Sequence, residues 1–224
     1  MTTSYQHNLD EVIEKIEFSR LQVNAHHIVK IVAVSKYSTT EEIKSLLDVG
    51  QRAFGENKVQ DLITKSETLE EFPIEWHFIG NLQKNKINNL IDANPMLMHS
   101  LDSLELALAM NEKLAAKKQT MDMLVQVNSA NEATKSGLNV EQTLETYAQI
   151  QEECPNINLK GLMSIGAHTE DKSIIQKSFE QTRTLFDKLP NNQDLICSMG
   201  MSGDYELAIK CGSNMVRIGS ALFK

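Results

Sequence analysis

The chain has 224 residues, of which 41% are hydrophobic, 23% charged and 5% aromatic, a composition typical of a globular protein with one large or two small domains. Its formal net charge of -8 repels phosphate backbones and anionic lipids, which argues against nucleic-acid and membrane binding. No apolar run approaches the length that spans a bilayer, and the polar, acidic start MTTSYQHNLDEVIEKI lacks the pattern of a signal peptide.

Strand-like and helix-like segments alternate along the chain. An opening helix over 5–24 carries apolar residues at helical spacing. The predicted strands are short apolar runs: 31–35, 52–55, 76–80, 96–99, 121–127, 159–165, 195–199 and 214–218. The predicted helices between them cover 41–49, 57–69, 83–91, 101–118, 140–152, 171–188 and 204–210. Thr39 or Thr40 is expected to cap the first of these helices, and Gly50 to end it.

This alternation predicts the fold class. Strict alternation of strands and helices implies parallel strands with helical crossovers, and eight such units predict a single-domain (β/α)8 TIM barrel with an additional N-terminal helix, spanning 1–224. The alternative is an open, doubly wound sheet. The count of eight, and the absence of a G-x-G-x-x-G motif after the first strand, favour the barrel.

Small and polar residues after the last two predicted strands suggest an anion site. Barrels often hold phosphate with the loops after these strands and a nearby helix N-terminus. Gly200 permits close backbone approach, and Ser202 stands where a helix N-cap is expected. Gly219 and Ser220 form a second donor-rich turn, and Arg217 supplies a positive charge.

Lys36 directly follows the first predicted strand, in the stretch IVAVSK, and lies on the same face of the barrel as this anion site. Most such lysines are simply solvated. A partly desolvated amine beside other cations, however, has a lowered pKa and can attack a carbonyl. A lysine of this kind near a phosphate site is compatible with pyridoxal 5′-phosphate or with a Schiff-base aldolase acting on a phosphosugar.

The cysteines indicate a reducing compartment. Cys154, Cys197 and Cys211 are odd in number and form no C-x-x-C pair, which predicts free thiols and a cytoplasmic protein. No spacing of cysteine and histidine suggests zinc.

Seven stretches in order along the chain carry a resemblance to a known family: IVAVSKYSTTEEI, GQRAFGENKVQD, EWHFIGNLQKNK, TKSGL, GLMSIGA, SMGMSGDYELAI and CGSNMVRIGSALF. Together they resemble the pyridoxal phosphate homeostasis protein family (the YggS/PROSC group), over nearly the whole chain. That family is similar in fold to the N-terminal barrel domain of alanine racemase and lacks the second, β-rich domain of that enzyme.

The resemblance implies a cofactor and a set of site residues. Pyridoxal 5′-phosphate would be held as a Schiff base on Lys36, with Arg217 facing either the pyridine nitrogen or the phosphate. The implied cofactor-binding residues are Lys36, Asn57, His77, Met163, Ser164, Ser198, Gly200, Met201, Ser202, Arg217, Gly219 and Ser220. Lys135, in T-K-S-G, is compatible with a role in cofactor exchange. For Met163, simple core packing is an equally good interpretation.

Two positions depart from the family pattern. Asn214 stands where the family usually has threonine, and the chain stops at Lys224, where the family usually continues into a short basic tail. The second departure puts any contribution of C-terminal lysines to cofactor delivery in doubt.

The residues favour a cofactor carrier over a catalyst. Carbanion chemistry usually needs a carboxylate that keeps the ring nitrogen protonated, whereas Arg217 occupies that position here. The second base of alanine racemase is a tyrosine from the second domain of the partner subunit, and the four tyrosines of this chain match none of the family's site motifs. We therefore expect a non-catalytic monomer that binds, buffers and delivers the cofactor to apo-enzymes, and so maintains cofactor and amino-acid homeostasis.

Three alternatives stay open. The first is an amino-acid racemase that depends on the same cofactor. The second is the aldolase, for which Glu56 is the carboxylate among the strand-end candidates. The third is a scaffold that binds protein partners through its helices.

Overall fold

Eight parallel strands form the centre of the molecule. The computed structural model describes residues 4–132, 136–191 and 194–224. The strands are Lys30–Val34 (β1), Ala53–Glu56 (β2), Glu75–Phe78 (β3), Leu97–Leu101 (β4), Met121–Val127 (β5), Ile157–Ser164 (β6), Ile196–Ser198 (β7) and Met215–Ile218 (β8). Each pairs with its sequence neighbour, and β8 pairs with β1, so that the barrel is closed. The predicted fold class is confirmed, and the open sheet is excluded.

Helices surround this barrel. They are Ser4–Leu21 (α1), Thr40–Asp48 (α2), Val59–Thr68 (α3), Ile87–Ala93 (α4), Leu104–Lys117 (α5), Thr143–Glu153 (α6), Lys172–Phe186 (α7), Tyr205–Lys210 (α8) and Ser220–Phe223 (α9), with a 3₁₀ turn over Lys84–Lys86. Every predicted strand and helix has a counterpart, with ends that differ by a few residues, whereas α9 was not predicted. None of the helices in the described part of the chain combines the length and the apolarity that a membrane crossing requires.

Local capping explains where individual helices begin. Thr39 caps α2 in a capping box: its hydroxyl accepts from the amide of Glu42, while the Glu42 carboxylate accepts from the Thr39 amide. The helix predicted over 101–118 begins three residues late, because Leu101 belongs to β4 and the Ser103 hydroxyl accepts from the amide of Leu106.

The barrel interior is filled by side chains that alternate along the strands. Successive strand residues point to opposite faces, so one set faces the barrel axis and the other faces the helices. The apolar interior set is Val32, Ala53, Leu97, Leu124, Met163 and Met215, all buried. Full burial of a large aliphatic side chain contributes about 1.5–3 kcal/mol to the free energy of unfolding. The apolar interior set therefore stabilises the closed barrel.

The additional helix α1 occupies the outer position beside the last unit of the barrel. It packs against α8, α9 and α2, where a full-length helix after β8 would otherwise lie. The Asn8 amide donates to the carbonyls of Leu222, at 3.2 Å, and Lys224, at 2.8 Å. Helix α1 therefore fixes the short helix α9, which forms part of the candidate site.

Candidate functional site

A cavity of about 500 Å³ opens at the carboxyl ends of β1 and β8. These strands are neighbours in the barrel, with Ala33 paired to Ile218, so the residues that follow them meet. Six sequence-predicted site residues line the cavity, which we call the mouth cavity: Lys36, Met201, Ser202, Arg217, Gly219 and Ser220. These are the predicted residues that tertiary structure brings together.

The direction of the Lys36 side chain follows from its neighbour in the sequence. The Ser35 hydroxyl is buried on the helix-facing side of β1 and donates to Glu56 Oε1 at 2.6 Å. Because the next residue points the opposite way, Lys36 reaches into the mouth cavity. Its Nζ lies 4.9 Å from the centroid of the Tyr37 ring, and within the described residues it has no hydrogen bond or ion pair. The amine is therefore available to a ligand.

The Glu56 side chain points away from the barrel axis, toward the surrounding helices. Its Oε1 accepts from Lys65 Nζ, on α3, at 2.7 Å as well as from Ser35, and the residue is fully buried. This carboxylate does not line the mouth cavity. The aldolase alternative therefore lacks the acid or base that the sequence offered for it.

Tyr37 was not assigned to the site from the sequence, yet it lines the mouth cavity and is 89% exposed. Its ring covers Lys36 Nζ in a cation–π arrangement, which is worth about 0.5–1 kcal/mol at an exposed site. Its position directly after Lys36 was the available signal.

Arg217 is a buried cation whose guanidinium joins three strands. It projects from β8, with Nη1 donating to the carbonyl and the hydroxyl of Ser198 at 3.0 and 2.6 Å and Nη2 donating to the carbonyl of Ser164 at 2.9 Å. Burial lowers its pKa to about 10, so it stays charged at neutral pH. Arg217 thus presents a fixed positive charge to the mouth cavity.

Ser202 does not have the predicted capping role. Helix α8 begins at Tyr205, and its N-cap is Asp204, not Ser202. The Ser202 hydroxyl instead crosses to α9, where it accepts from the amides of Gly219 at 3.1 Å and Ala221 at 3.4 Å. With both lone pairs engaged in this way, its hydrogen is free to be donated to a ligand in the mouth cavity.

Gly200 is required by the backbone of the same loop. Its φ is +93°, and an added Cβ would lie 2.7 Å from both Tyr205 Cα and Ala208 Cβ. Its carbonyl accepts from the amide of Arg217 at 3.0 Å. Gly200 therefore lets α8 pack close to the end of β7, while it does not itself line the mouth cavity.

Five other predicted residues also lie away from the lining of the mouth cavity. Met163 packs in the barrel interior, and the Ser164 hydroxyl accepts from Thr182 Oγ1 on α7 at 2.9 Å. Ser198 is buried beneath Arg217, and Asn57 is half-buried beyond β2. The fifth, His77, is described with its partner below. Lys135 lies outside the described residues, so its role stays a prediction.

His99 is a site-linked residue that the sequence analysis missed. It comes from β4, is fully buried, and lies between His77 and Ser198, with Nε2 2.9 Å from His77 Nδ1 and Nδ1 3.3 Å from Ser198 Oγ. A histidine in an apolar strand, MLMHSL, was the available signal. His77 lines a second cavity at the amino end of the barrel, opposite the mouth cavity.

The remaining sequence predictions concern thiols, metals and Asn214. All three cysteines are free, and the described part of the chain contains no cluster of three or more potential metal ligands. The Asn214 side chain accepts from the amide of Cys197 at 2.7 Å and donates to the carbonyl of Leu195 at 2.9 Å. This departure from the family pattern thus ties the start of β8 to β7.

Comparison with known proteins finds relatives that are similar to this chain in sequence and in fold. The family model described as alanine racemase, N-terminal domain, matches residues 7–224. A Helicobacter pylori strain J99 protein named pyridoxal phosphate homeostasis protein is 54% identical over 220 residues, which cover 98% of both chains. PipY of Synechococcus elongatus PCC7942, solved without PLP, is 28% identical with a TM-score of 0.87, covering 99% of this chain and 100% of PipY. PipY with PLP bound is 28% identical with a TM-score of 0.78, covering 94% and 99%.

Proposed function

Because this chain belongs to the pyridoxal phosphate homeostasis protein family, whose barrel is that of the alanine racemase N-terminal domain, we propose that it binds pyridoxal 5′-phosphate and maintains the supply of this cofactor and, through it, amino-acid pools. The binding unit is one domain over 1–224. The free thiols support a cytoplasmic location. The proposal includes delivery of the cofactor by a monomer to apo-enzymes.

The residues of the mouth cavity fit the chemistry of this cofactor. Its aldehyde condenses reversibly with a primary amine and releases water, and its phosphate is an anion. The cavity combines an unengaged amine, that of Lys36, with the hydroxyl donors of Ser202 and Ser220 and the Ser220 amide, since the amides on either side of it already donate to Ser202. At about 500 Å³ it is within the range of small-molecule sites. This pairing of amine and anion donors in one cavity is the observation that carries the proposal.

Lys36 is the residue proposed to hold the cofactor as a Schiff base. It occupies an inward-facing position two residues after the end of β1, next to the Tyr37 ring. The phosphate is assigned to the opposite wall, where Ser202 donates its hydroxyl hydrogen and Ser220 adds another hydroxyl. Gly219 leaves room there, because an added Cβ would meet Val34 at no less than 3.5 Å.

Arg217 supports a carrier without substantial turnover. It stays protonated at neutral pH, because even when lowered by burial its pKa is about 10. A guanidinium facing the ring nitrogen would keep that nitrogen unprotonated, which weakens the ring as an acceptor of electrons. The mouth cavity is also open to solvent at Tyr37, and water weakens electrostatic catalysis. The open cavity argues against the racemase alternative, whereas the arginine weakens carbanion chemistry in general and is compatible with racemisation.

A trapping experiment tests the proposal. Purified protein is mixed with pyridoxal 5′-phosphate, reduced with borohydride, and the modified peptide is mapped. We expect one adduct, on Lys36, that is lost in Lys36→Ala and kept in Lys113→Ala, an exposed lysine outside the mouth cavity. Lys36→Ala should leave the free energy of unfolding within about 0.5 kcal/mol of wild type, because within the described residues its amine has no hydrogen bond or ion pair and contacts the exposed Tyr37 ring.

Adducts scattered over surface lysines would contradict the assignment. An amino-acid turnover assay on the loaded protein then separates carrier from racemase: racemisation that disappears in Lys36→Ala would establish the enzyme and overturn the carrier.

A further inference from the structure

Four buried polar side chains form a continuous line of hydrogen bonds through the barrel. Arg217 Nη1 lies 2.6 Å from Ser198 Oγ, Ser198 Oγ lies 3.3 Å from His99 Nδ1, and His99 Nε2 lies 2.9 Å from His77 Nδ1. The four residues come from β8, β7, β4 and β3, and none is more than 4% exposed. We call them the interior chain.

The donors and acceptors of the interior chain have one arrangement that satisfies every link. A guanidinium can only donate, so Ser198 Oγ accepts from Arg217 and is left with one hydrogen to give. The acceptor within reach is His99 Nδ1. His99 then carries its hydrogen on Nε2 and donates to His77 Nδ1, which places the hydrogen of His77 on Nε2. Among the described residues, the reverse order would leave two buried groups unsatisfied, the Ser198 hydroxyl hydrogen and the lone pair of His77 Nε2, whereas this order leaves one, the hydrogen on His77 Nε2.

Both imidazoles are neutral in this environment. Burial lowers the pKa of His77 to about 3, with a smaller contribution from the charge of Lys30. Burial also lowers the pKa of His99 well below its ordinary value, with further contributions from His77 and Arg217. Neutral rings are required, because a second hydrogen on either ring would remove an acceptor from the interior chain.

The interior chain ends at the opposite side of the barrel from the mouth cavity. His77 Nε2 has no hydrogen-bond partner among the described residues. His77 lines a cavity of about 480 Å³ together with Lys30, Leu97 and Met215, while its Nε2 atom is itself buried. The interior chain therefore runs from the mouth of the barrel to its floor.

We propose that His99 and His77 are positioning residues for the cofactor, which they serve by holding the Ser198 hydroxyl as an acceptor for Arg217. This inference rests on the proposed function, since Arg217 lines the proposed cofactor site. Arg217 Nη1 is shared between the carbonyl and the hydroxyl of Ser198. If the hydroxyl turned its hydrogen toward Arg217, one of these two bonds would be lost and the guanidinium would shift.

The first test uses the ligand-free protein, so it does not depend on cofactor binding. Nitrogen NMR of protein labelled with ¹⁵N-histidine distinguishes the two neutral ring tautomers. At pH 7 we expect both His99 and His77 to carry hydrogen on Nε2, assigned by loss of signals in the single variants. Hydrogen on Nδ1 of His99, or a charged ring at either position, would overturn the interior chain.

The second test uses a matched pair of substitutions at His99. In His99→Asn, the amide oxygen occupies the position of Nδ1 and can still accept from Ser198, but it cannot reach His77. In His99→Gln, the amide occupies the position of Nε2 and reaches His77 but not Ser198. We expect the Kd for pyridoxal 5′-phosphate to rise about tenfold or more in His99→Gln, which corresponds to one hydrogen bond to a charged group, and less than about threefold in His99→Asn.

The absorption maximum of the bound cofactor depends on the groups around its ring. It would not change if His99 served only the stability of the fold. We expect its maximum to shift in His99→Gln and to be restored in His99→Asn. Equal losses of affinity in the two folded variants, or no loss in either, would overturn the proposal. If either variant fails to fold, the pair His77→Asn and His77→Leu repeats the comparison, since only asparagine can accept from His99. A wild-type protein that takes up no pyridoxal 5′-phosphate would refute the proposed function. The tautomers of His99 and His77, measured in the ligand-free protein, would still show whether the hydrogen bonds of the interior chain run in the proposed direction.

Discussion

Gly219 offers a direct test of where the phosphate binds, through the substitution Gly219→Ala. An added Cβ would lie 3.5 Å from the Val34 carbonyl oxygen and 3.6 Å from Val34 Cβ, which is ordinary van der Waals contact. The protein itself therefore accommodates the methyl group, and we expect the free energy of unfolding to change by no more than about 0.5 kcal/mol. The remaining space around Gly219 is the mouth cavity.

A phosphate oxygen held by the Ser220 amide, whose neighbouring amides already donate to Ser202, must come within about 3 Å of that nitrogen, and the methyl group would keep it out. Losing one hydrogen bond to a charged group costs about 1.5–3 kcal/mol. We therefore expect the Kd for pyridoxal 5′-phosphate, measured by absorbance titration, to rise roughly 10- to 100-fold. Urea unfolding of the same variant supplies the change in stability.

Gly203→Ala is the matched control, because Gly203 also lines the mouth cavity and an added Cβ there meets nothing within 4 Å. Gly203 is not part of α9, so we expect a Kd within about threefold of wild type. An unchanged Kd in a stable Gly219→Ala variant would show that the phosphate does not approach α9. A loss of stability well above 1 kcal/mol would show that the methyl group is not accommodated.

Three further predictions concern stability and reactivity. Ser202→Ala removes the acceptor of two backbone amides and should lower the free energy of unfolding by about 1–2 kcal/mol; an unchanged urea midpoint would contradict these bonds. Because the pKa of His77 is about 3 in the folded protein and 6.5 in the unfolded chain, protons bind preferentially to the unfolded chain between these values. Stability should therefore be greatest above pH 6.5 and fall by roughly 2 kcal/mol at pH 5 through this group, a loss that His77→Asn should reduce. Burial raises the pKa of Cys197 to about 12 and that of Cys211 to about 11, so both should react with a thiol reagent at pH 8 far more slowly in the folded protein than in the urea-unfolded chain.

The number and kind of elements could be predicted from local patterns. Each apolar run followed by an amphipathic segment is one β-to-α unit, and eight units in sequence have few arrangements other than a closed parallel barrel. The position of Lys36 directly after the first strand was visible in the same way. Helix α9, with four residues, is too short to show a helical period, and so it was missed.

Whether an individual strand residue points toward the barrel axis or toward the helices could not be predicted with the same accuracy. Strand ends are uncertain by a residue or two in a sequence-based prediction, and a shift of one residue moves a side chain to the opposite face. Glu56, Ser164 and Ser198 illustrate this limit. All three stand at strand ends in the sequence, yet Glu56 and Ser164 turn toward the helices, while Ser198 turns inward beneath Arg217.

The sequence by itself determined the barrel, the lysine at its mouth and the small residues of the proposed phosphate site, because periodicity and glycine placement are local properties. Tertiary structure alone decided which residues meet across the barrel. Ser202 binds an amide 17 residues away, and His99 contacts residues 22 and 99 positions distant. Contacts of this kind depend on the pairing and stagger of strands that are far apart in the chain, and no pattern within a single strand records them.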